Sequence, residues 1–216
     1  SMTDLLGITM GETSNDGLFS LHYTPCIGMS DQAPAMLIND RVITQLTPQK
    51  IRHILESLKQ HKNLDQLLFQ EHHMAQSAGN SLSNSDIVTS RIYKTDLLLS
   101  DHHVPESGLK QALTHSPEEI ICLLEQSNLR GRGGAGFSVS TKWRTAKETV
   151  ASERYVICNA DEGEPGTFKD RVLLTERANL LFEGMTIAAH TLGQAIGIVY
   201  LRAEYRYLLP HLESVL

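Results

Sequence analysis

The run Leu129-Arg130-Gly131-Arg132-Gly133-Gly134-Ala135-Gly136-Phe137 limits this chain more than any other stretch. It places four glycines within six residues, with an arginine on each side of the first and an aromatic ring closing the run. Without a Cβ, glycine enters φ > 0 readily and lets a ligand come into contact with the backbone. Successive exposed N–H groups then form a concavity suited to phosphate, and Arg130, Arg132 and Lys142 add positive charge. A plain surface turn is the competing reading. The Walker loop is excluded, because it ends in Gly-Lys-Ser/Thr and no glycine here precedes a lysine. The fingerprint G-x-G-x-x-G does match at Gly131, Gly133 and Gly136, but it belongs between a strand and a helix. Upstream, Pro117 to Glu125 has apolar residues at 120, 121, 123 and 124 and predicts a helix, so the match is accidental. The loop reads as a nucleotide or flavin cradle built another way.

Composition narrows the class. The chain has 216 residues, enough for one or two domains, with 41% hydrophobic and 20% charged residues. A net charge of −6 argues against a general affinity for nucleic acid. No apolar run approaches the roughly 18 residues of a membrane span, and no signal-peptide pattern is present. Three cysteines, at 26, 122 and 158, are too scattered for a disulfide framework or a closed thiolate metal site. A reducing cytoplasm is the expected location.

Residues 1–60 read as one unit. Leu18 to Tyr23 alternates apolar and polar and predicts a strand. Ala35 to Ile43 predicts a hairpin around Asn39-Asp40, and Thr47-Pro48 predicts a capped helix running to about Gln60. Gly11-Glu12-Thr13, Asp16-Gly17-Leu18-Phe19, Cys26-Ile27-Gly28 and Gln32-Ala33-Pro34 resemble the C-terminal half of the thioredoxin-like ferredoxin subunit of respiratory complex I. That family has a second cysteine four residues after the first, and with an earlier pair they hold a [2Fe–2S] cluster. Here Ser30 stands in the second position, so one thiolate of about four remains and no iron–sulfur cluster is expected. Cys26 is expected to be a buried structural thiol.

Residues 61–107 read as linker and extended arm, with a polar, turn-rich run from Ala75 to Ser85. Adjacent histidines point apart on a regular element, so His72-His73 and His102-His103 are expected to be surface residues and not ligands. Residues 108–216 form the chemical part. Gly108 to Leu113 and Ser116 to Glu125 predict helices, the second with Ser116 and Glu119 placed for a capping box. Tyr155 to Cys158 predicts a short buried strand delivering Asn159-Ala160-Asp161-Glu162-Gly163-Glu164-Pro165-Gly166. An acid-rich helix start or a solvated loop would explain these carboxylates, and they lack the spacing of a calcium loop. As a ligand site, Asn159 both donates and accepts, and the carboxylates accept from ribose hydroxyls. Ala178 to Leu192 predicts a helix stopped by Gly193, Ala195 to Leu201 a buried strand, and Tyr205 to Val215 a helix. The order is that of an α/β domain with parallel strands, whose carboxyl edge would gather the glycine and acidic loops.

Leu129 to Phe137, Lys142-Trp143, Cys158 to Arg171, Glu183-Gly184-Met185 and Arg202-Ala203-Glu204-Tyr205 resemble the flavin- and NADH-binding subunit of complex I. With the ferredoxin-like piece in front, the chain is most similar to the diaphorase flavin subunits of soluble NAD-reducing nickel–iron hydrogenases. The resemblance implies α/β architecture: a partial thioredoxin-like unit followed by the N-terminal part of a Rossmann-like FMN-binding domain. It implies FMN over the loop, held by Gly131, Arg132, Gly133, Gly134, Ala135, Gly136, Lys142, Asn159, Asp161 and Glu162. It also implies NAD(H) flanked by Phe137 and Glu164. Hydride passes from cofactor to cofactor, so no catalytic side chain and no metal ligand are expected. The implied partners are an iron–sulfur small diaphorase subunit and hydrogenase subunits.

Ser140 departs from the family, which has glycine there. The chain stops at Leu216 inside an expected helix, and the resemblance implies that the other half of the flavin pocket lies beyond it. The sequence thus reads as a truncated chain, and two alternatives stay open: the flavin subunit of an NAD-dependent formate dehydrogenase, and a non-catalytic docking fragment.

Overall fold

The computed structural model describes residues 2–60, 63, 92–93, 96–99 and 104–216. The expectations for the linker run, the extended arm and both histidine pairs lie outside the described residues. The chain divides into two compact units. One comprises Ser1–Ile92, Glu162–Phe168 and Glu204–Tyr207; the other comprises Tyr93–Asp161, Lys169–Ala203 and Leu208–Leu216.

In the first unit, α1 (Met2–Leu6) leads into a polar loop. The strand expected over Leu18 to Tyr23 is absent; Thr13 and Ser20 form only an isolated bridge. The pairing is cut short by a side-chain-closed turn, in which Asp16 Oδ1 accepts from Ser14 Oγ (2.5 Å) and from the Leu18 N–H (3.1 Å). Phe19 and Leu21 do turn inward, with Leu21 only 7% exposed, but Tyr23 beyond them is 83% exposed and the inward face ends there. The expected hairpin is present as β1 (Met36–Ile38) paired antiparallel with β2 (Arg41–Ile43), turning at Asn39 with φ 53°. Asparagine tolerates that left-handed conformation. The helix α2 (Pro48–Lys59) begins as its sequence predicts, with Thr47 Oγ1 accepting from the Lys50 N–H at 3.1 Å. Ile27, Met29, Val42, Ile43, Ile54 and Leu55 make the core.

The second unit opens with a short helical turn, α3 (Asp96–Leu99), then α4 (Ser107–Ala112) and α5 (Pro117–Gln126). The capping box at α5 is complete: Ser116 N–H donates to Glu119 Oε2 at 2.7 Å, and the Glu119 N–H returns to Ser116 Oγ at 3.3 Å. The Ser116 N–H bond first, and then the Ser116 Oγ–H donating to the same Oε2 at 2.9 Å, hold the Glu119 carboxyl below its ordinary value of 4.5. The cap is therefore at full strength above pH 4.5 and is lost as pH falls through the lower folded value. Melting curves of the protein and of Glu119→Gln should differ at neutral pH and converge in acid.

Then come α6 (Val139–Glu148), β3 (Tyr155–Ala160), α7 (Lys169–Glu176), α8 (Ala178–Leu192) and β4 (Ile196–Leu201). β3 and β4 pair in parallel, with Ile157 opposite Ile198, and α8 packs on both. This is the α/β arrangement the sequence predicts, with Gly193 ending α8 at φ 80°. The two strands are not buried as expected. Ile157 is 62% exposed and Tyr200 61%, because α8 covers one face and the other carries no layer among the described residues. The final helix also differs from expectation. A 3-10 helix (Ala203–Leu208) precedes α9 (Leu209–Val215), since Pro210 has no N–H to carry an α-helical bond back to residue 206.

Candidate functional site

The glycine loop is a closed neck with an open tip. α5 ends at Gln126, Asn128 with a φ of 50° turns the chain, and Arg130 pairs with Ser138 across the neck. The Gly131 N–H donates to Phe137 O at 2.8 Å, and the Val139 N–H to Leu129 O at 3.0 Å. Inside the neck the Gly136 N–H donates to Gly133 O at 3.1 Å, with Gly136 at φ 55°, and Arg130 Nη1 donates to Gly136 O at 3.2 Å. Arg130 is therefore a loop brace. Among the described residues, the N–H groups of Arg132, Gly133, Gly134 and Ala135 make no hydrogen bond. A Cβ added at Gly133, Gly134 or Gly136 would meet no atom within 4 Å. Side-chain packing therefore does not require glycine at these places, and the open space leaves the backbone accessible; at Gly136 the φ of 55° itself favours glycine.

The charges around the tip suit an anion. Arg132 is exposed and, among the described residues, has no carboxylate partner; the same holds for Lys142 in the first turn of α6. Phe137 is 53% exposed at the neck. Ser140, at the position where the resemblance implies glycine, is 3% exposed and hydrogen-bonds Ser138 Oγ at 2.9 Å. Ser138 caps α6 by accepting from the Thr141 N–H at 3.3 Å, so Ser140 reinforces the helix start without obstructing the loop.

The acidic stretch divides between the units. At the end of β3, Asn159 Oδ1 accepts from the Asp161 N–H at 3.0 Å, leaving its amide group and the exposed Asp161 carboxylate presented outward. Ala160 is buried, and its carbonyl accepts from the Arg202 N–H at 3.2 Å. These residues belong to the second unit with Gly131 to Phe137 and Lys142; Glu162 and Glu164 belong to the first. Glu162 is only 5% exposed, and its Oε2 accepts from Tyr205 Oη at 3.1 Å. Glu164 is exposed, on a turn closed by the Thr167 N–H to Glu164 O (3.1 Å). The sequence reading quotes Tyr205 only as the end of the run Arg202-Ala203-Glu204-Tyr205 and does not predict its bond to Glu162. Among the described residues no group of three or more His, Cys, Asp and Glu side chains converges as a metal site would.

Burial, with Asp170 adding to it, pushes the Cys158 thiol above its ordinary value. Since the thiolate is the reactive form, Cys158 should alkylate more slowly than the exposed Cys122 at pH 8 (peptide mapping after timed iodoacetamide treatment).

The Nuo51 FMN-binding domain model matches residues 124–216, and the thioredoxin-like [2Fe–2S] ferredoxin model matches residues 1–59. The NAD-reducing hydrogenase HoxS subunit alpha of Cupriavidus necator is 47% identical over 217 residues, covering 97% of this chain and 35% of that relative. Residues 124–216 of this chain are thus similar to the Nuo51 FMN-binding family. An NADH-quinone oxidoreductase subunit of Aquifex aeolicus is 45% identical over 115 residues, 53% of this chain and 26% of the relative. The crystal structure of NAD+-reducing [NiFe]-hydrogenase in the air-oxidized state matches with a TM-score of 0.83 and 38% identity, over 99% of this chain and 36% of that one. The chain thus spans about a third of the length of the hydrogenase relatives it matches. The Nuo51 match covers the glycine loop, Lys142 and the whole acidic stretch. Among the described residues no helix is long and apolar enough to cross a membrane.

Proposed function

We propose that this chain is part of an NADH:acceptor oxidoreductase, the diaphorase module of an NAD-reducing hydrogenase. The observation that carries the reading is the open tip of the glycine loop. Four backbone N–H groups without partners among the described residues stand beside the exposed Arg132, within a segment that matches an FMN-binding family. A bound FMN would supply the redox chemistry, hydride acceptance from NADH (two electrons with one proton) and single-electron release to iron–sulfur acceptors. This chain's residues supply binding and orientation. The N–H groups of 132–135 hold the phosphate, with Gly131 and Gly136 shaping the loop and Arg132 and Lys142 balancing charge. Asn159, Asp161 and Glu162 hold the flavin's polar edge, while Phe137 and Glu164 flank the nicotinamide nucleotide.

The same reading keeps the division into a thioredoxin-like segment (1–60), a linker (61–107) and a flavin-binding segment (108–216). It places the chain in the cytoplasm, with an iron–sulfur small subunit and hydrogenase subunits as partners. The hydrogenase is preferred over a formate dehydrogenase because the hydrogenase relative aligns along 97% of this chain, ferredoxin-like segment included. The test is anaerobic addition of NADH to the FMN-loaded protein. Bleaching of the oxidised-flavin band is expected; a band that dithionite bleaches and excess NADH does not would contradict the reading.

A further inference from the structure

We propose that Tyr205 is a positioning residue acting through Glu162, and that the turn Cys26–Ser30 serves as the seat for both. The proposal rests on the reading above, in which Glu162 belongs to the flavin site. Tyr205 is 0% exposed, and its hydroxyl donates to Glu162 Oε2 at 3.1 Å within the first unit. Its ring lies against Gly28, where an added Cβ would stand 2.7 Å from both Cε1 and Cζ. Gly28 is also at φ +71°, so neither the space nor the backbone there accepts a side chain. Tyr207 packs edge-on against the same ring, with centroids 6.4 Å apart and planes at 78°. The phenol is thereby fixed, and a fixed donor aims the buried carboxylate that accepts from it.

The same turn holds the acidic segment at a second point. The Gly166 N–H donates to Cys26 Sγ at 3.5 Å, and Ser30 Oγ lies 3.8 Å from that sulfur. The two positions that the ferredoxin resemblance associates with cluster thiolates thus contribute one sulfur that accepts a hydrogen bond from the acidic loop and one hydroxyl beside it. In this chain the turn supports Glu162 through Tyr205 and supports Gly166 directly. The ferredoxin-like segment has a job here: it orients an acid of the proposed flavin site.

The experiment is a double-mutant cycle on FMN affinity in the 216-residue protein, read by flavin fluorescence quenching, with thermal melts as a fold control. Tyr205→Phe keeps the ring and should weaken FMN binding about tenfold, the usual scale for a lost hydrogen bond to a charged group. In the Glu162→Ala background the same change should cost less than about twofold, because the group it acts through is gone. A purely structural tyrosine would instead cost the same in both backgrounds, which would overturn the proposal. Gly28→Ala keeps the tyrosine but would collide first with its Oη and then with its ring, driving the hydroxyl off Glu162, and should reproduce the loss. FMN binding that neither Tyr205→Phe nor Gly28→Ala changes, while Glu162→Ala weakens it, would overturn the positioning role and leave the flavin reading standing. No FMN binding by the unaltered protein would overturn both.

Discussion

Replacing Gly133 by aspartate is expected to weaken FMN binding about 100-fold while leaving the melting temperature unchanged. A side chain at Gly133 meets no atom within 4 Å, and the residue is not in the left-handed region, so folding should not register the change. The ligand should. A carboxylate about 6 Å from a phosphate of charge about −1.5 to −2, at an effective dielectric near 20, costs roughly 4–5.5 kcal/mol before salt screening. About 3 kcal/mol is already a factor of roughly 100 in affinity. Isothermal titration with FMN checks the first half of the expectation and a thermal melt the second. Equal affinity in the variant would show that the loop tip does not face the phosphate.

Ile54→Ala is expected to destabilise the first unit by about 3 kcal/mol, among the largest losses a single truncation should cause in this chain. Ile54 is 1% exposed on α2, in a core that includes Ile27, Met29, Val42, Ile43 and Leu55. Large-to-small changes in such a core cost the transfer term and the cavity left behind, typically about 2–5 kcal/mol. Because Glu162–Phe168 and Tyr205 belong to the same unit, the loss should extend to the proposed acid of the flavin site. Urea unfolding followed by hydrogen exchange in residues 162–168 would show it. Protection there that is unchanged by Ile54→Ala would contradict the assignment of that segment to the first unit.

What the sequence conveyed well was local. The Ser116–Glu119 cap, Thr47-Pro48 and Gly193 each act over one helical turn, and the structure has all three where the residues predict. The glycine loop was legible for the same reason: its shape follows from the conformational freedom of a few adjacent residues, Gly136 above all. The failures are non-local. Ile196 to Leu201 is apolar along its length, and such a run reads as buried on both faces; nothing in it shows that α8 covers one side and leaves Tyr200 61% exposed. Leu18 to Tyr23 alternates correctly, yet alternation cannot reveal that the Asp16 turn leaves only a single bridge to pair with. Glu162 is one of three acids between 161 and 164, and nothing in their spacing shows that it is the buried one. Its burial depends on Tyr205, 43 residues later, and on Gly28, far earlier in the chain, and no period or spacing links the three.

The central claim is that this chain's glycine loop and acidic residues bind FMN, and a titration of the 216-residue protein with FMN tests it most directly. The account predicts saturable quenching of flavin fluorescence, one FMN per chain, with a dissociation constant below about 100 μM, equivalent to about 5.5 kcal/mol. Fluorescence that stays unquenched up to that concentration would contradict it.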